Sequence, residues 1–456
     1  MTTWQDRVAH RTVRVAIVGL GYVGLPLATA FAKAHFPVVG IDVDPRRIEA
    51  IAAGRSTIAD ISDQDLAPYV RSGQLRVTCD YDALRETDAI FICVPTPYDA
   101  QRAPDLSYIV QASEGIRPRL QPGQLIVLQS TTYPGTTQEV VLPILERDGL
   151  KGGQDFYLAF SPERVDPGNT QWTAYNTPKV VGGLTPECTQ IAAELLRQMG
   201  APVHAVSSPK AAELAKLLEN TFRSVNIALV NELALLAERM GIDFWEVIDA
   251  AKTKPFGFMP FYPGPGVGGH CIPVDPYFLS WKAREYDYYA EFIELAGEVN
   301  QAMPYHVVEL VGQALSMQGS PMRGARLLVL GVAFKANIDD ARNSPAQRVI
   351  ELLLSRGADV RYHDPHVPHF RVGGNVFWPA ELTLDSAALS ETELEAADCV
   401  VIVTGHRSVD YGQVATHARL VVDTCHATKA ALSDPARAAL RRKVVRLGAP
   451  MEWPDE

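Results

Sequence analysis

Between Val15 and Ala32 the chain runs for 18 residues without a charged side chain, long enough to cross a bilayer, yet Gly19, Gly21, Gly24 and Pro26 punctuate it. A membrane helix has no use for that spacing. A buried strand, VRVAIVG, that turns through glycine into a buried helix reaching about Lys33 accounts for it better. The next strand, VVGIDVD, carries Asp42 at its end, 18 residues after Gly24.

Gly19-Leu20-Gly21-Tyr22-Val23-Gly24 is therefore a GxGxxG turn between a strand and a helix, with an acid closing the following strand. Gly19 makes the tight turn, Gly21 lets a pyrophosphate approach the backbone, and Gly24 lets helix and strand pack closely. The helix start, at Tyr22 and Val23, offers N–H groups and the positive end of the helix dipole to phosphates. Asp42 can accept hydrogen bonds from ribose hydroxyls and would repel a 2′-phosphate, so NAD is expected over NADP. Arg47 is close enough to bear on that choice. The alternative is a Rossmann-type fold that holds no cofactor.

At 456 residues the chain is expected to form two to four domains. Apolar strands at 89–97 (AIFICVPTP), 125–132 (LIVLQSTT), 180–184 and 202–206 alternate with helical patterns, which implies a parallel sheet with crossover helices. Ser208 as N-cap, Pro209 at the first helical position and Gly241 as a stop predict one helix of about 32 residues, roughly 48 Å long. Another helix is expected over 292–315, with Pro304 at a break or kink. From Arg323 the strands ARLLVLGVAF, ADVRYHDP, CVVIVTGH and RLVVDTC build a second doubly wound α/β unit. The expected fold class is thus α/β, two Rossmann-like domains joined by a long central helix and a helical dimerisation region. The boundaries fall at 13–206, 207–318 and 319–456.

A net charge of -11 argues against a nucleic-acid or anionic-membrane surface. Six scattered cysteines without a CxxC pair are not a zinc pattern and are sparse for a disulfide framework, so reduced thiols and no metal are expected. The first residues, MTTWQDRVAHRTVR, have no apolar core and no cleavage-site pattern of a signal peptide.

The segment GPGVGGHCIPVDP (264–276) is the most informative for chemistry. Five of the six residues 264–269 are Gly or Pro, a composition that brings backbone close to a ligand. Cys271 presented there, with Asp275 four residues on, reads as a nucleophile beside a proton-transfer group; a structural cysteine is the competing reading. Lys216 and Asn220 share one face of the long helix and could donate to a developing alkoxide, although a lone helical Lys is ordinarily solvated. Glu163, in SPERVDPG, is either a functional acid or an ordinary surface turn residue.

GLGYVGLP, STTYPGTT (130–137), SPERVDPG, ELAKLLENTFRSVNIALVNELA (213–234), GPGVGGHC and GVAFKANIDDARNSP (331–345) occur in that order. As a set they resemble the UDP-glucose/GDP-mannose dehydrogenase superfamily, over about residues 13–430, and most closely its branch acting on UDP-N-acetylhexosamines. The resemblance implies an NAD-dependent, cytoplasmic enzyme of polysaccharide biosynthesis that takes a UDP-sugar, UDP-N-acetylglucosamine foremost, and works as a homodimer or higher oligomer. It implies two successive hydride removals from C6, with Cys271 holding first a thiohemiacetal and then a thioester. Lys216 and Asn220 would hold the C6 oxygen, Asp275 would transfer protons, Glu163 would activate water, and Thr131 would order a water. Thr96, Thr131 and Arg342 would lie near NAD. Glu163, Arg164, Val165, Lys216, Asn220, Tyr262, Gly264, Gly266, Gly268, Phe334 and Lys335 would contact the substrate.

Two departures stand out. Glucose-acting members often carry Phe-Gly-Gly-Ser-Cys, where this chain has Val267-Gly268-Gly269-His270-Cys271. At the spacing of a family arginine that reaches a neighbouring subunit's substrate stands Pro255, between Lys254 and Phe256, with Lys252 and Lys254 as the candidates to substitute for it. The alternatives are UDP-N-acetylmannosamine or UDP-glucose as substrate, a two-electron β-hydroxyacid-type dehydrogenase, and an NAD-sensing regulator. The last two have no need of Cys271, and the first of them none of a second α/β domain.

Overall fold

The computed structural model describes residues 3–58, 61–99, 102–166, 169 and 171–451. Pro167 and Gly168 of the SPERVDPG segment and residues 452–456 of the expected third domain lie outside them. Two compact units form, Met1–Glu219 with Tyr277–Tyr289, and Asn220–Pro276 with Ala290–Glu456.

The first unit is built on eight strands: β1 (Val15–Val18), β2 (Val38–Ile41), β3 (Leu75–Thr78), β4 (Ala89–Ile92), β5 (Leu125–Leu128), β6 (Tyr157–Phe160), β7 (Lys179–Gly183) and β8 (Val203–Val206). Their order is β3-β2-β1-β4-β5-β6-β7-β8, and Val15 faces Val38 on one side and Ala89 on the other. β1, β4 and β5 are buried along their whole length, because helices cover both faces of a parallel sheet. Phe31, Phe36 and Phe91 pack ring to ring on one face, with centroids 5.9 and 5.2 Å apart.

One feature corrects the expected all-parallel sheet. β6 and β7 are antiparallel, with Ala159 opposite Gly183. The described residues of the connection between them form no crossover helix, and the chain returns in the opposite direction.

The second unit holds β9 (Arg326–Leu330), β10 (Asp359–His363), β11 (His369–Gly373), β12 (Glu381–Asp385), β13 (Cys399–Ile402), β14 (Val421–Asp423) and β15 (Val444–Arg446). Five of them form a parallel sheet ordered β10-β9-β13-β14-β15. β11 and β12 form a separate antiparallel hairpin. Sequence reading did not anticipate it, since β12 is almost wholly exposed and has no buried face to write an apolar pattern.

The long helix spans Pro209–Met240, 32 residues, as its capping signals require. The Ser208 hydroxyl accepts the Ala211 N–H at 3.2 Å. At the other end Gly241 adopts φ +70°, and the Ile242 and Gly241 amides close back on the carbonyls of Ala237 and Glu238. The helix expected over 292–315 is a single element, Glu291–Met317, with Pro304 inside it rather than at a break between two.

Candidate active site

The turn after β1 is shaped by what its glycines exclude. Gly19 has φ +93°, and a Cβ there would lie 2.6 Å from the Cys93 carbonyl oxygen; a Cβ on Gly24 would lie 1.7 Å from the Gly19 carbonyl oxygen. A Cβ on Gly21 would meet nothing within 4 Å, so that side of the turn is open to a ligand. Tyr22 is exposed, and Val23 stands at the N-cap of the Gly24–Lys33 helix without a capping side chain. Asp42 is buried; its Oδ2 accepts the Leu20 N–H at 2.8 Å and Arg47 at 2.9 Å, and its Oδ1 accepts the Asp44 N–H at 3.0 Å. Oδ1 keeps capacity for a ribose hydroxyl. The open turn, the uncapped amides and this carboxylate fit a dinucleotide, with Arg47 neutralised by Asp42.

Thr96 and Thr131, both half-buried, follow β4 and β5 at the carboxyl edge of the sheet, the same edge as the glycine turn. The Thr131 loop is pinned by a residue that sequence reading missed. Glu213, fully buried on the long helix, accepts N–H groups from Gly135 at 2.5 Å and Thr137 at 3.0 Å, and the Thr137 hydroxyl at 2.7 Å. Glu213, Lys216 and Asn220 recur at i, i+3 and i+7, a buried polar stripe on one helix face, and that spacing is the signal which could have found Glu213.

Glu163 follows β6. Its Oε1 accepts the N–H groups of Arg164 and Val165 at 2.8 and 2.9 Å, and its Oε2 accepts the Gln129 amide at 3.1 Å. Burial by itself pushes this carboxyl up, but Lys179, whose Nζ is 3.7 Å away, the two amides and Lys216 together bring it below its ordinary value. The Lys179 side chain is only 4 % exposed and was also missed by sequence reading. Arg164 is committed to structure: it pairs with Glu219 at 2.7 Å and donates to the Pro178 carbonyl at 2.6 Å.

In the second unit Cys271 is exposed at the end of the glycine-rich loop, and its carbonyl accepts the Asp275 N–H at 2.8 Å. Asp275 is buried, begins the Asp275–Ala283 helix, and accepts the Asn220 side-chain amide at 2.5 Å. The loop has two anchors. Asn231, fully buried on the long helix, accepts the Gly264 N–H at 2.9 Å and donates to Asn300 at 2.9 Å. Further along, a Cβ on Gly268 would lie 2.7 Å from the Phe334 Cβ, while the Asn343 side chain donates to the Gly269 carbonyl at 3.1 Å. Arg342 grips Asp340 through two nitrogens, at 2.9 and 2.7 Å. His270, beside Cys271, is shifted down by burial and by Arg342, against the pull of Asp340.

A cavity of about 530 Å³ opens at the carboxyl edge of the second sheet, lined by Gly266, Phe334, Lys335, His406, Arg407 and Tyr411 among others. Of the expected substrate contacts, Gly266, Phe334 and Lys335 meet there, while Tyr262, Gly264 and Gly268 are not part of its wall. The Tyr262 ring instead stacks near Trp245, centroids 6.2 Å apart. Lys335 and Arg407 give the cavity two cations suited to phosphate oxygens. No described helix is long and apolar enough to cross a membrane.

Three family models match the chain in order: the UDP-glucose/GDP-mannose dehydrogenase NAD binding domain over 13–200, the central domain over 210–302, and the UDP binding domain over 328–430. UDP-N-acetyl-D-glucosamine 6-dehydrogenase of Pseudomonas aeruginosa is 40% identical over 78% of this chain and 84% of that protein. UDP-N-acetyl-D-mannosamine dehydrogenase of Pyrococcus horikoshii is 36% identical over 90% of this chain and 95% of that protein. A solved structure of a UDP-D-ManNAc dehydrogenase from Pyrococcus horikoshii superposes with a TM-score of 0.84 at 32% identity, covering 96% of this chain and 99% of that one. Motif order, cofactor turn and whole-length similarity agree: the chain belongs to the UDP-glucose/GDP-mannose dehydrogenase family and is an NAD-dependent nucleotide-sugar dehydrogenase.

Proposed function

We propose that the enzyme oxidises C6 of UDP-N-acetylglucosamine from alcohol to carboxylate, through a covalent intermediate on Cys271. The observation that carries the reading is the loop itself: an exposed Cys271 following Gly264–Gly269, with Asp275 buried one turn on and hydrogen-bonded to Asn220. The 40% identity to a UDP-N-acetyl-D-glucosamine 6-dehydrogenase supports the choice of sugar.

The turn of Gly19, Gly21, Tyr22, Val23 and Gly24 would hold NAD, with Asp42 for its ribose and Thr96, Thr131 and Arg342 as further contacts, and the bound cofactor would supply the hydride acceptor for both oxidations. Lys216 and Asn220 donate to the C6 oxygen wherever it bears negative charge, and their places four apart on one helix put them on one face. The Cys271 sulfur adds to the aldehyde carbon, its proton reaching the carbonyl oxygen by way of Asp275. After the second oxidation the carbon–sulfur bond is a thioester. Glu163, held ionised by Lys179, takes a proton from the water that breaks that bond, and Cys271 leaves as the thiol. The balance is one alcohol, two NAD⁺ and one water to one carboxylate, two NADH and three protons.

The cavity of Gly266, Phe334 and Lys335 takes the UDP part. On this reading the functional division is 13–206 for the cofactor, 207–318 for the catalytic loop and subunit contact, and 319–456 for the nucleotide sugar. The protein acts as a homodimer or larger homo-oligomer in the cytoplasm, and its uronate feeds polysaccharide assembly.

The test of the sugar is kcat/KM for UDP-N-acetylglucosamine, UDP-N-acetylmannosamine and UDP-glucose side by side. The glucosamine sugar is expected to lead by at least about tenfold, or 1.4 kcal/mol in transition-state binding. A lead for either rival reassigns the substrate within the family.

A further inference from the structure

The two sheets use one device at corresponding places. Gly19 ends β1 with φ +93°, Gly331 ends β9 with φ +81°, and a Cβ on either would strike a carbonyl of the neighbouring strand's end, Cys93 or Thr404. In each sheet an aspartate closing the next strand accepts the amide after the glycine: Leu20 to Asp42 at 2.8 Å, Val332 to Asp364 at 2.7 Å.

The two aspartates then part. Asp42 keeps acceptor capacity and pairs with a half-exposed Arg47. Asp364 is filled: besides Val332, it takes the N–H groups of Ala333 at 3.0 Å, His366 at 2.8 Å and Val367 at 3.1 Å, and His406 Nε2 at 3.0 Å. Five donors exceed the roughly four lone-pair sites of a carboxylate. Burial pushes Asp364 up, but His406 and the amides hold it down at about 2. It has nothing left for a ribose, so the second sheet does not repeat the dinucleotide site of the first.

His406 is 1 % exposed, and its partners fix its tautomer. Nδ1 lies 3.0 Å from the Asn337 amide, which can only donate, so Nδ1 accepts and the proton sits on Nε2 toward Asp364. Asn337, at φ +63°, also accepts the Arg407 N–H on its side chain at 2.8 Å. Thr404 Oγ1 donates to the Ala333 carbonyl at 2.7 Å. The turn 331–337, which carries Phe334 and Lys335, is thus stitched to the turn 404–407 across the wall of one cavity.

We propose that His406, oriented by Asp364, is a positioning residue that sets nucleotide-sugar affinity by holding Phe334 and Lys335 at the cavity. This rests on the reading of that cavity as the UDP subsite.

The experiment uses the full-length protein, with UDP binding by calorimetry and steady-state kinetics for both substrates. His406→Phe fills the space but removes both hydrogen bonds. It is expected to raise the UDP Kd and the KM for UDP-N-acetylglucosamine by at least about tenfold, with kcat within about threefold and the KM for NAD unchanged. His406→Asn, whose side-chain oxygen can stand in for Nδ1, should recover a large part of that loss. Should His406→Phe fail to fold, Asn337→Gly keeps the positive φ and the N–H but drops the clasp to Arg407. It should raise the same two constants by about threefold. Wild-type UDP affinity in a folded variant, or a fall in kcat at unchanged KM, overturns the role of His406. Failure of the wild-type protein to bind UDP overturns the subsite reading beneath it.

Discussion

The Asn220 side-chain amide donates to Asp275 at 2.5 Å, and both side chains are almost completely buried. The long helix and the catalytic loop are joined at the point where a proton-transfer group and an oxyanion donor are proposed to act. Asn220→Ala removes the donor and leaves a buried carboxylate one hydrogen bond short. We expect kcat to fall by about 10²–10³-fold and stability to drop by about 1–3 kcal/mol, read by steady-state kinetics and urea unfolding. A variant that loses stability but keeps kcat would make the contact purely structural.

Cys271→Ser is expected to reduce uronate formation by at least about 10³-fold, close to 4 kcal/mol of barrier, because serine at neutral pH is a far weaker nucleophile than a thiol. The NAD dissociation constant, measured by fluorescence titration, should stay within about twofold, since the substitution changes none of the residues of the cofactor turn. Uronate formed at the wild-type rate would remove the thioester from the mechanism.

As the proposed base, Glu163 should tie activity to pH. Burial raises its carboxyl, yet Lys179 and the Val165 and Arg164 amides outweigh it, so the folded value lies below the ordinary 4.5. A carboxylate lowered on folding contributes stability that is complete above its unfolded pKa and is lost as pH falls through its folded pKa. The base form should therefore persist across the neutral and mildly acidic range. Lys179→Met removes the largest lowering influence and should move the acidic limb of kcat upward. A limb that stays in place would separate Glu163 from the rate.

Leu218, Phe222, Leu229, Leu233, Leu236 and Met240 form an exposed stripe along the Pro209–Met240 helix, with Leu218 63 % and Met240 62 % exposed. Apolar side chains at helical spacing over such a length call for a covering surface. We expect a second copy of the chain to supply it. Light scattering should give at least twice 49.8 kDa, and Leu229→Asp with Leu236→Asp should reduce it to one. A monomeric mass for the wild type at micromolar concentration would contradict this.

Much of the frame was legible because local chemistry wrote it. Gly19 and Gly24 announce the cofactor turn through steric demands that only glycine meets, Asp42 does so as the acid closing the next strand, and Ser208, Pro209 and Gly241 mark the ends of the long helix. The direction of β7 was not legible, since an apolar run has periodicity but no sense of direction. Nor was Lys179, one charge at the head of the otherwise apolar β7, whose burial beside Glu163 comes from tertiary pairing. Asp364 and His406 lie 42 residues apart, and neither has a neighbour in sequence that reveals the bond between them.

In the proposed mechanism one active site removes four electrons from one sugar. The measurement is NADH formed per UDP-N-acetylglucosamine consumed, followed at 340 nm to completion with limiting sugar. About two NADH per sugar, with uronate as product, is the result the covalent Cys271 mechanism predicts. One NADH per sugar, with aldehyde accumulating, would contradict it.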